Sequence, residues 1–259
     1  MRRILLVEGS DSRPPGAEES VLSKLWGTIC ESLGVPRFDR VLPIHKGFIE
    51  NLTEGYGALD EEIVRFGLSQ PEDALVVVWD ARPPWVGVTK KPCQWAETLG
   101  LYQHLDDRQR LPEVFRAHVR GRRDDLEGRS QPKSKQSPPV RLVPGSLYAV
   151  CIDPMFEDLF CDEDVVRKAL GLANQNAGRD WPRKWQKHNQ LEAKALLDKA
   201  ITAARKHRPQ PDIVRQIRLS YTTNQESWAA HFIRYFAQHA PDKFGEHPVV
   251  KRLRTLLAK

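Results

Sequence analysis

Apolar runs alternate with amphipathic stretches along the first part of the chain. Ile4 to Val7 is an unbroken apolar run that stops at Glu8, which is typical of a parallel strand buried on both faces. From Ser20 onward, apolar residues recur at helical spacing as far as Gly34, a residue type that commonly follows a helix end. The pattern predicts a strand, a polar turn and a helix, in that order.

Three further apolar runs predict strands. Residues 38–44 form the weakest run, residues 74–79 form the strongest and end at Asp80, and residues 147–152 end at Asp153. Strands that alternate with helices favour an α/β fold with a mainly parallel sheet flanked by helices. Ligands of such sheets bind at the carboxyl ends of the strands, and acids follow the predicted strands at that end.

The remaining chain predicts helices and one polar segment. Apolar spacing predicts amphipathic helices over residues 190–205, 227–240 and 248–257. Between residues 117 and 139 Arg, Lys, Ser, Gln, Gly and Pro predominate, which predicts a mobile loop. The expected organisation is a 1–115 α/β core, a 116–140 flexible basic insertion, and a 141–259 part that contains a strand completing the core and then mostly helices.

Composition indicates the class of partner. The 259 residues carry a net charge of +6 and a pI near 9.2, which favours a polyanion such as DNA or RNA. Cysteines without a CxxC pair favour a reduced, cytoplasmic protein. The apolar run after Met1 is too short for a signal peptide, and no run approaches the roughly 20 apolar residues of a membrane span, so we expect no membrane association.

Two cationic segments are candidates for nucleic-acid contact. The basic residues of the 116–140 insertion would attract phosphates without sequence selectivity, although a solvated loop is the more common explanation of such a segment. Residues 181–188 interleave two tryptophans with cations, which suits base stacking. The tryptophans would also serve as anchors of a loop on the core.

The acids at the strand ends predict a metal site. Glu8, Asp80, Asp153 and Glu157 would converge in a parallel sheet, and clustered carboxylates require a cation such as Mg²⁺ or Mn²⁺. Phosphoryl chemistry would follow, because such a cation orients water and stabilises phosphate charge. The alternative for each acid is a turn residue or a helix N-cap.

The first strand and its Glu8-Gly9 ending resemble the opening motif of toprim domains. The second toprim motif is an Asp-x-Asp that closes a strand, and here the chain has Asp80-Ala81-Arg82. The resemblance implies that Glu8 acts as general base or metal organiser and that Asp80 is the principal metal ligand. Arg82 replaces the second acid, so another carboxylate would have to complete the site, or catalysis has been lost.

Two more segments resemble toprim-like proteins of bacterial defence loci, namely those similar to RloB and to the nuclease part of overcoming-lysogenization-defect proteins. His45-Lys46-Gly47 resembles their polar turn, and Asp153-Pro154-Met155-Phe156-Glu157 resembles their Asn/Asp-Pro-x-Phe-Glu element. The resemblance implies substrate contacts from His45 and Lys46, auxiliary metal ligands in Asp153 and Glu157, and an ATPase partner protein. The expected function is a metal-dependent nuclease of an antiviral system. The alternative is a catalytically silent adaptor that binds nucleic acid or nucleotide.

Overall fold

The structure is a computed structural model in which the chain divides into two compact units. Unit 1 comprises Met1–Ser23, Arg37–Pro154 and Lys259, and unit 2 comprises Lys24–Pro36 and Met155–Ala258. The residues that the structure describes are 3–8, 18–44, 74–80, 102–107, 109, 111, 113–127, 140–141, 146–152, 156–172, 181–185, 190–247, 250–251 and 253–254.

Unit 1 is built on a five-stranded sheet with the order β2-β1-β3-β5-β4. The neighbours β2-β1, β1-β3 and β3-β5 pair in parallel, and the short β4 pairs antiparallel with β5. A mixed α/β fold with a mainly parallel sheet is therefore confirmed. The strands are β1 Arg3–Glu8, β2 Arg40–Ile44, β3 Ala74–Asp80, β4 Val140–Arg141 and β5 Ser146–Ile152.

The apolar run of β1 is buried along its whole length. Ile4, Leu5, Leu6 and Val7 are all buried, although successive side chains of a strand point to opposite faces. Burial on both faces confirms the strand type that the unbroken run predicts. At the start of the strand, Asp39 N donates to the Arg3 carbonyl oxygen at 2.8 Å.

Helix α1, Val21–Leu33, follows β1 and begins and ends as predicted. Ser20 Oγ accepts a hydrogen bond from Ser23 N at 3.1 Å, which satisfies an N–H group that the first helical turn leaves open. Gly34 has a φ of 67°, and a residue without a Cβ adopts this left-handed conformation at little cost. The boundary between the two units passes through α1, after Ser23.

The prediction of a flexible loop over residues 116–140 is wrong for its first part, which is helical. Residues 102–107 are helical, and Glu113–Glu127 form a second, longer helix, α2. Arg, Glu, Ala and Leu, which are good helix formers, supply eight of the fifteen residues from 113 to 127, and Gly121 is the one residue among them with a strongly unfavourable helix propensity. A high charge therefore does not prevent this segment from forming a helix. Residues 128–139 lie outside the described residues.

Unit 2 is helical in its described part. Phe160 stacks on Phe232 with ring centroids 5.9 Å apart and contacts Tyr221 at 6.3 Å, and all three are buried. Trp228 extends this cluster, with its ring stacked on Phe232 at a centroid distance of 5.7 Å. The elements are a 3₁₀ turn at Phe156–Leu159, α3 Glu163–Ala169, α4 Gln190–Lys206, α5 Asp212–Gln216, α6 Gln225–His239 and α7 Pro241–Glu246.

The helix predictions for 190–205 and 227–240 are confirmed by α4 and α6. Of the predicted 248–257 helix, residues 250–251 and 253–254 are described and helical. In the described part of the chain, no helix is both long enough and apolar enough to span a bilayer. The strand β5 lies in unit 1, and the second segment of unit 2 begins at Met155.

Candidate functional site

Glu8 and Asp80 are the last residues of two neighbouring parallel strands. Val7 of β1 is opposite Val78 of β3, and Asp80 is opposite Ile152 of β5. Continued by one residue, the register sets Glu8 beside Trp79, so the Cα atoms of Glu8 and Asp80 are about 6 Å apart at ordinary strand spacing. Both strands thus end at the same carboxyl edge of the sheet, as their apolar runs predict, with Glu8 and Asp80 one residue out of register and so at successive positions of the pleat.

The strand order places this edge where open parallel sheets commonly bind their ligands. The chain passes from β1 to β2 on one side and then to β3 on the other side of β1. Where the direction of strand addition reverses, the loops that leave the two central strands diverge and open a crevice. In unit 1 this switch point lies between the ends of β1 and β3, where Glu8 and Asp80 are located.

Four predicted site residues lie outside the described residues: His45, Lys46, Arg82 and Asp153. His45 follows the last residue of β2 directly, and Asp153 follows the last residue of β5. Their roles, and those of Glu8 and Asp80, stay predictions.

Glu157 lies in unit 2, where its carboxylate is buried at 2% exposure. Tyr221 Oη donates to Glu157 Oε1 at 3.5 Å, and Lys194 Nζ lies 3.8 Å from the same oxygen. A buried carboxylate with a cationic partner and a hydroxyl donor is electrostatically satisfied without a metal ion. These contacts favour a structural role for Glu157 over the predicted role of auxiliary metal ligand.

Asp106 organises the basic face of α2. Its carboxylate accepts hydrogen bonds from Arg120 at 2.7 and 3.0 Å, and Arg123 Nη1 lies 3.8 Å from Oδ2. Arg116 Nε donates to the carbonyl oxygen of the same residue. The hydrogen bond from Arg120 and the charges of the surrounding guanidinium groups hold the pKa of Asp106 below its usual value.

This cluster changes the interpretation of the basic segment. An anionic group with little exposure neutralises part of the cationic charge that the sequence assigns to phosphate binding, and it fixes the arginines against residues 102–107. The described arginines that contact Asp106 therefore serve mainly to hold α2 against residues 102–107. The side chain of Arg122 and residues Lys133 and Lys135 lie outside the described part.

The two tryptophans of residues 181–185 are engaged within unit 2. Their rings stack on each other at 5.6 Å and 14°. Trp181 Nε1 donates to Glu163 Oε1 at 3.0 Å, and Trp185 Nε1 donates to the Cys161 carbonyl oxygen at 3.2 Å. The structure favours the anchoring role, because both indole N–H groups and one face of each ring have partners in the protein.

Sequence reasoning missed Asp106, Lys194 and Tyr221. The only local signal for Asp106 is an acid four residues after the buried Tyr102, at helical spacing. Lys194 and Tyr221 meet Glu157 across separations of 37 and 64 residues, so no sequence spacing reveals their contacts. Among the residues that the structure describes, no three His, Cys, Asp or Glu side chains form a group that would hold a metal ion.

Comparison with known proteins adds no further constraint. No protein-family model, no curated protein and no solved structure matches the chain. The functional argument therefore rests on the residues and geometry of this chain.

Proposed function

We propose that this protein is a metal-dependent nuclease, or the nuclease-like subunit of a bacterial antiviral system, built on a toprim-like sheet. One observation carries the proposal: Glu8 and Asp80 end the two central parallel strands, on either side of the switch point of the sheet. Two acids at this position combine the usual location of a ligand with the donor type of a hard cation.

The donor set fits Mg²⁺ or Mn²⁺. Both prefer carboxylate oxygens, and Mg²⁺ is usually held by one or two carboxylates together with water and substrate phosphate. When bound, such a cation would neutralise charge on the scissile phosphate and lower the pKa of an attacking water. Asp80 is the proposed principal ligand, and Asp153, which follows the neighbouring strand β5, is the proposed auxiliary ligand.

The remaining residues of the proposed site handle the proton of the attacking water and the charge of the phosphate. Glu8 accepts the proton of the attacking water, or orders the cation through its carboxylate. His45 and Lys46 contact the substrate phosphate. The guanidinium of Arg82 offers two parallel N–H groups to the phosphate, a geometry that stabilises the charge developing in phosphodiester cleavage.

A direct test is a cleavage assay on single- and double-stranded DNA and RNA, with Mg²⁺ or Mn²⁺. We expect cleavage by the wild type, and we expect Asp80→Asn and Glu8→Gln each to reduce it by about 100-fold or more, because each removes a group needed in the transition state. Asp124→Asn, an exposed acid of α2, is the matched control and should retain full activity. Equal activity of all four proteins would reject the proposed site.

The second candidate is a catalytically silent adaptor, favoured by the replacement of the second toprim acid with Arg82. In this case Arg82 supplies a fixed positive charge where the metal would bind. The adaptor predicts nucleic-acid binding without cleavage in any divalent cation, and weaker binding after Arg82→Asp. The nuclease instead predicts that Arg82→Ala lowers turnover while metal affinity is largely kept.

A further inference from the structure

A second cationic surface lies in unit 2, at the end of α4 and around α5. Arg205 is in the last turn of α4, and its Nη2 donates to the carbonyl oxygens of Arg218 and Leu219 at 2.7 and 2.6 Å. This contact joins the end of α4 to the segment after α5. The basic patch comprises Arg205, Lys206, Arg208, Arg215 and Arg218.

The hydrogen bonds that order the patch leave most of its charge in place. Arg208 Nη1 donates to the carbonyl oxygens of Arg205 and His207, both at 2.9 Å. A carbonyl oxygen orients a guanidinium but carries no net charge, in contrast to the carboxylate of Asp106 in unit 1. Between residues 205 and 218 the sequence has one acid, Asp212, which pairs with Arg215.

Most side chains of the basic patch are exposed to solvent. Lys206, Arg208, Arg215 and Arg218 are exposed, and Arg205 is half-buried. Arg205 and Arg208 are held by backbone carbonyl oxygens, and Arg208 is also exposed, so this part of the patch is preorganised for an anion because little side-chain freedom is lost on binding.

We propose that the basic patch is a docking surface for the phosphate backbone of nucleic acid. The choice of nucleic acid as the polyanion rests on the proposed function. The positive charge of the surface is observed independently of that function. Four of the five cations are arginines, whose planar N–H pairs match phosphate oxygens better than an ammonium group does. Contacts of this type bind without reading sequence and position the nucleic acid on the protein.

A membrane surface fits the patch less well. Membrane-surface segments combine cations with a broad apolar face that inserts between lipids. Within the described ranges, Leu219 is the one large hydrophobic side chain that is exposed, at 51%. A single leucine beside the patch suits a contact with a sugar or a base edge, but it does not provide an insertion face.

The test measures binding without cleavage. Anisotropy of a short labelled DNA duplex is recorded in EDTA, at salt concentrations between about 50 and 200 mM. The triple variant Arg208→Gln, Arg215→Gln, Arg218→Gln is compared with the matched control Lys168→Gln, Lys243→Gln, Lys251→Gln. The control removes the same charge from exposed positions of unit 2, where Lys243 and Lys251 pair with Asp162 and Glu246.

We expect the slope of log affinity against log salt to become shallower by about 2 in the patch variant, since each duplex phosphate contact contributes about 0.9 and Arg215 is already paired with Asp212. The control should keep the wild-type slope. Single variants Arg208→Gln and Arg218→Gln should each lower the slope by about 0.9, which keeps the test valid if the triple variant unfolds.

Three outcomes would overturn the proposal: an unchanged slope, equal effects of the two triple variants, or no duplex binding by the wild type. Patch-dependent binding to phosphatidylserine vesicles, together with unchanged duplex binding, would assign the surface to membranes instead. Because EDTA removes the divalent cation that cleavage requires, the binding result does not depend on whether the protein is a nuclease. A patch-dependent slope in a protein that never cleaves would retain this inference and reject the proposed catalysis.

Discussion

Arg120 binds the carboxylate of Asp106 through two N–H groups, with Nη2 2.7 Å from Oδ1 and Nε 3.0 Å from Oδ2. The bond joins α2 to the helical residues 102–107, and Arg116 adds a bond to the Asp106 carbonyl oxygen. Fork-shaped pairs of this type are the strongest side-chain hydrogen bonds in proteins. The network explains why a segment so rich in arginine is ordered.

Replacement of Asp106 should destabilise unit 1. Asp106→Asn removes the anion that several guanidinium groups share, so we expect a fall in Tm of about 2–6 °C. Asp107→Asn, a neighbouring exposed acid, is the matched control and should change Tm little. Thermal unfolding followed by circular dichroism measures both. Equal Tm values for the two variants would show that the network does not stabilise the fold.

The same network predicts an acid limit of stability. The native pKa of Asp106 lies below the ordinary value of 3.8, so the unfolded chain takes up this proton first as the pH falls. Stability from Asp106 is fully present above that value and is lost as the pH falls through the native pKa. Asp106→Asn should therefore flatten the decline of Tm below about pH 4, whereas a parallel decline in both proteins would contradict this account.

His231 predicts a second pH dependence, near neutrality. Burial lowers its pKa, although the hydrogen bond from Nε2 to the Ala169 carbonyl oxygen, 2.9 Å long, acts in the opposite direction. The neutral form is thus favoured in the fold, and stability falls as the pH drops below 6.5, because the unfolded chain binds the proton more tightly. Differential scanning fluorimetry from pH 7.5 to 5 should show a smaller loss for His231→Gln than for the wild type. Identical losses would contradict the prediction.

Glu157 provides a test that separates a structural role from metal binding. Glu157→Gln keeps the shape of the side chain but leaves Lys194 without its counter-charge, so we expect a loss of about 2 kcal/mol in the free energy of unfolding. The Mg²⁺ concentration for half-maximal cleavage should stay unchanged. Asp164→Asn, an exposed acid of α3, is the control. A rise in that Mg²⁺ concentration, to the extent seen in Asp80→Asn, would restore Glu157 as a metal ligand.

Two glycines should respond in opposite directions to the same substitution. Gly34→Ala forces a Cβ into a left-handed backbone and should destabilise the protein by about 1 kcal/mol, although no atom lies within 4 Å of the new methyl group. Gly121→Ala, in the interior of α2 and equally free of contacts, should stabilise it by about 0.5–1 kcal/mol. Denaturant unfolding measures both changes, and shifts of equal sign would refute the argument from backbone conformation.

Local pattern determined the elements that carry their own signal. The run Ile4 to Val7 alone predicts a doubly buried strand, because an unbroken apolar segment has no face for water. Ser20 and Gly34 delimit α1 through bonds and dihedral angles within a few residues of each helix end. The position of Glu8 and Asp80 at strand ends was predictable for the same reason.

Tertiary structure decided what depends on distant partners. Composition predicted a flexible segment where α2 forms, because the charge that orders Arg120 comes from Asp106, fourteen residues earlier. The surroundings of Glu157 depend on Tyr221, 64 residues away, and the basic patch exists because the end of α4 meets the carbonyl oxygens of Arg218 and Leu219. The sequence states the charge of each side chain. Only the fold determines whether a nearby carboxylate neutralises that charge or a carbonyl oxygen orients it and leaves it unneutralised.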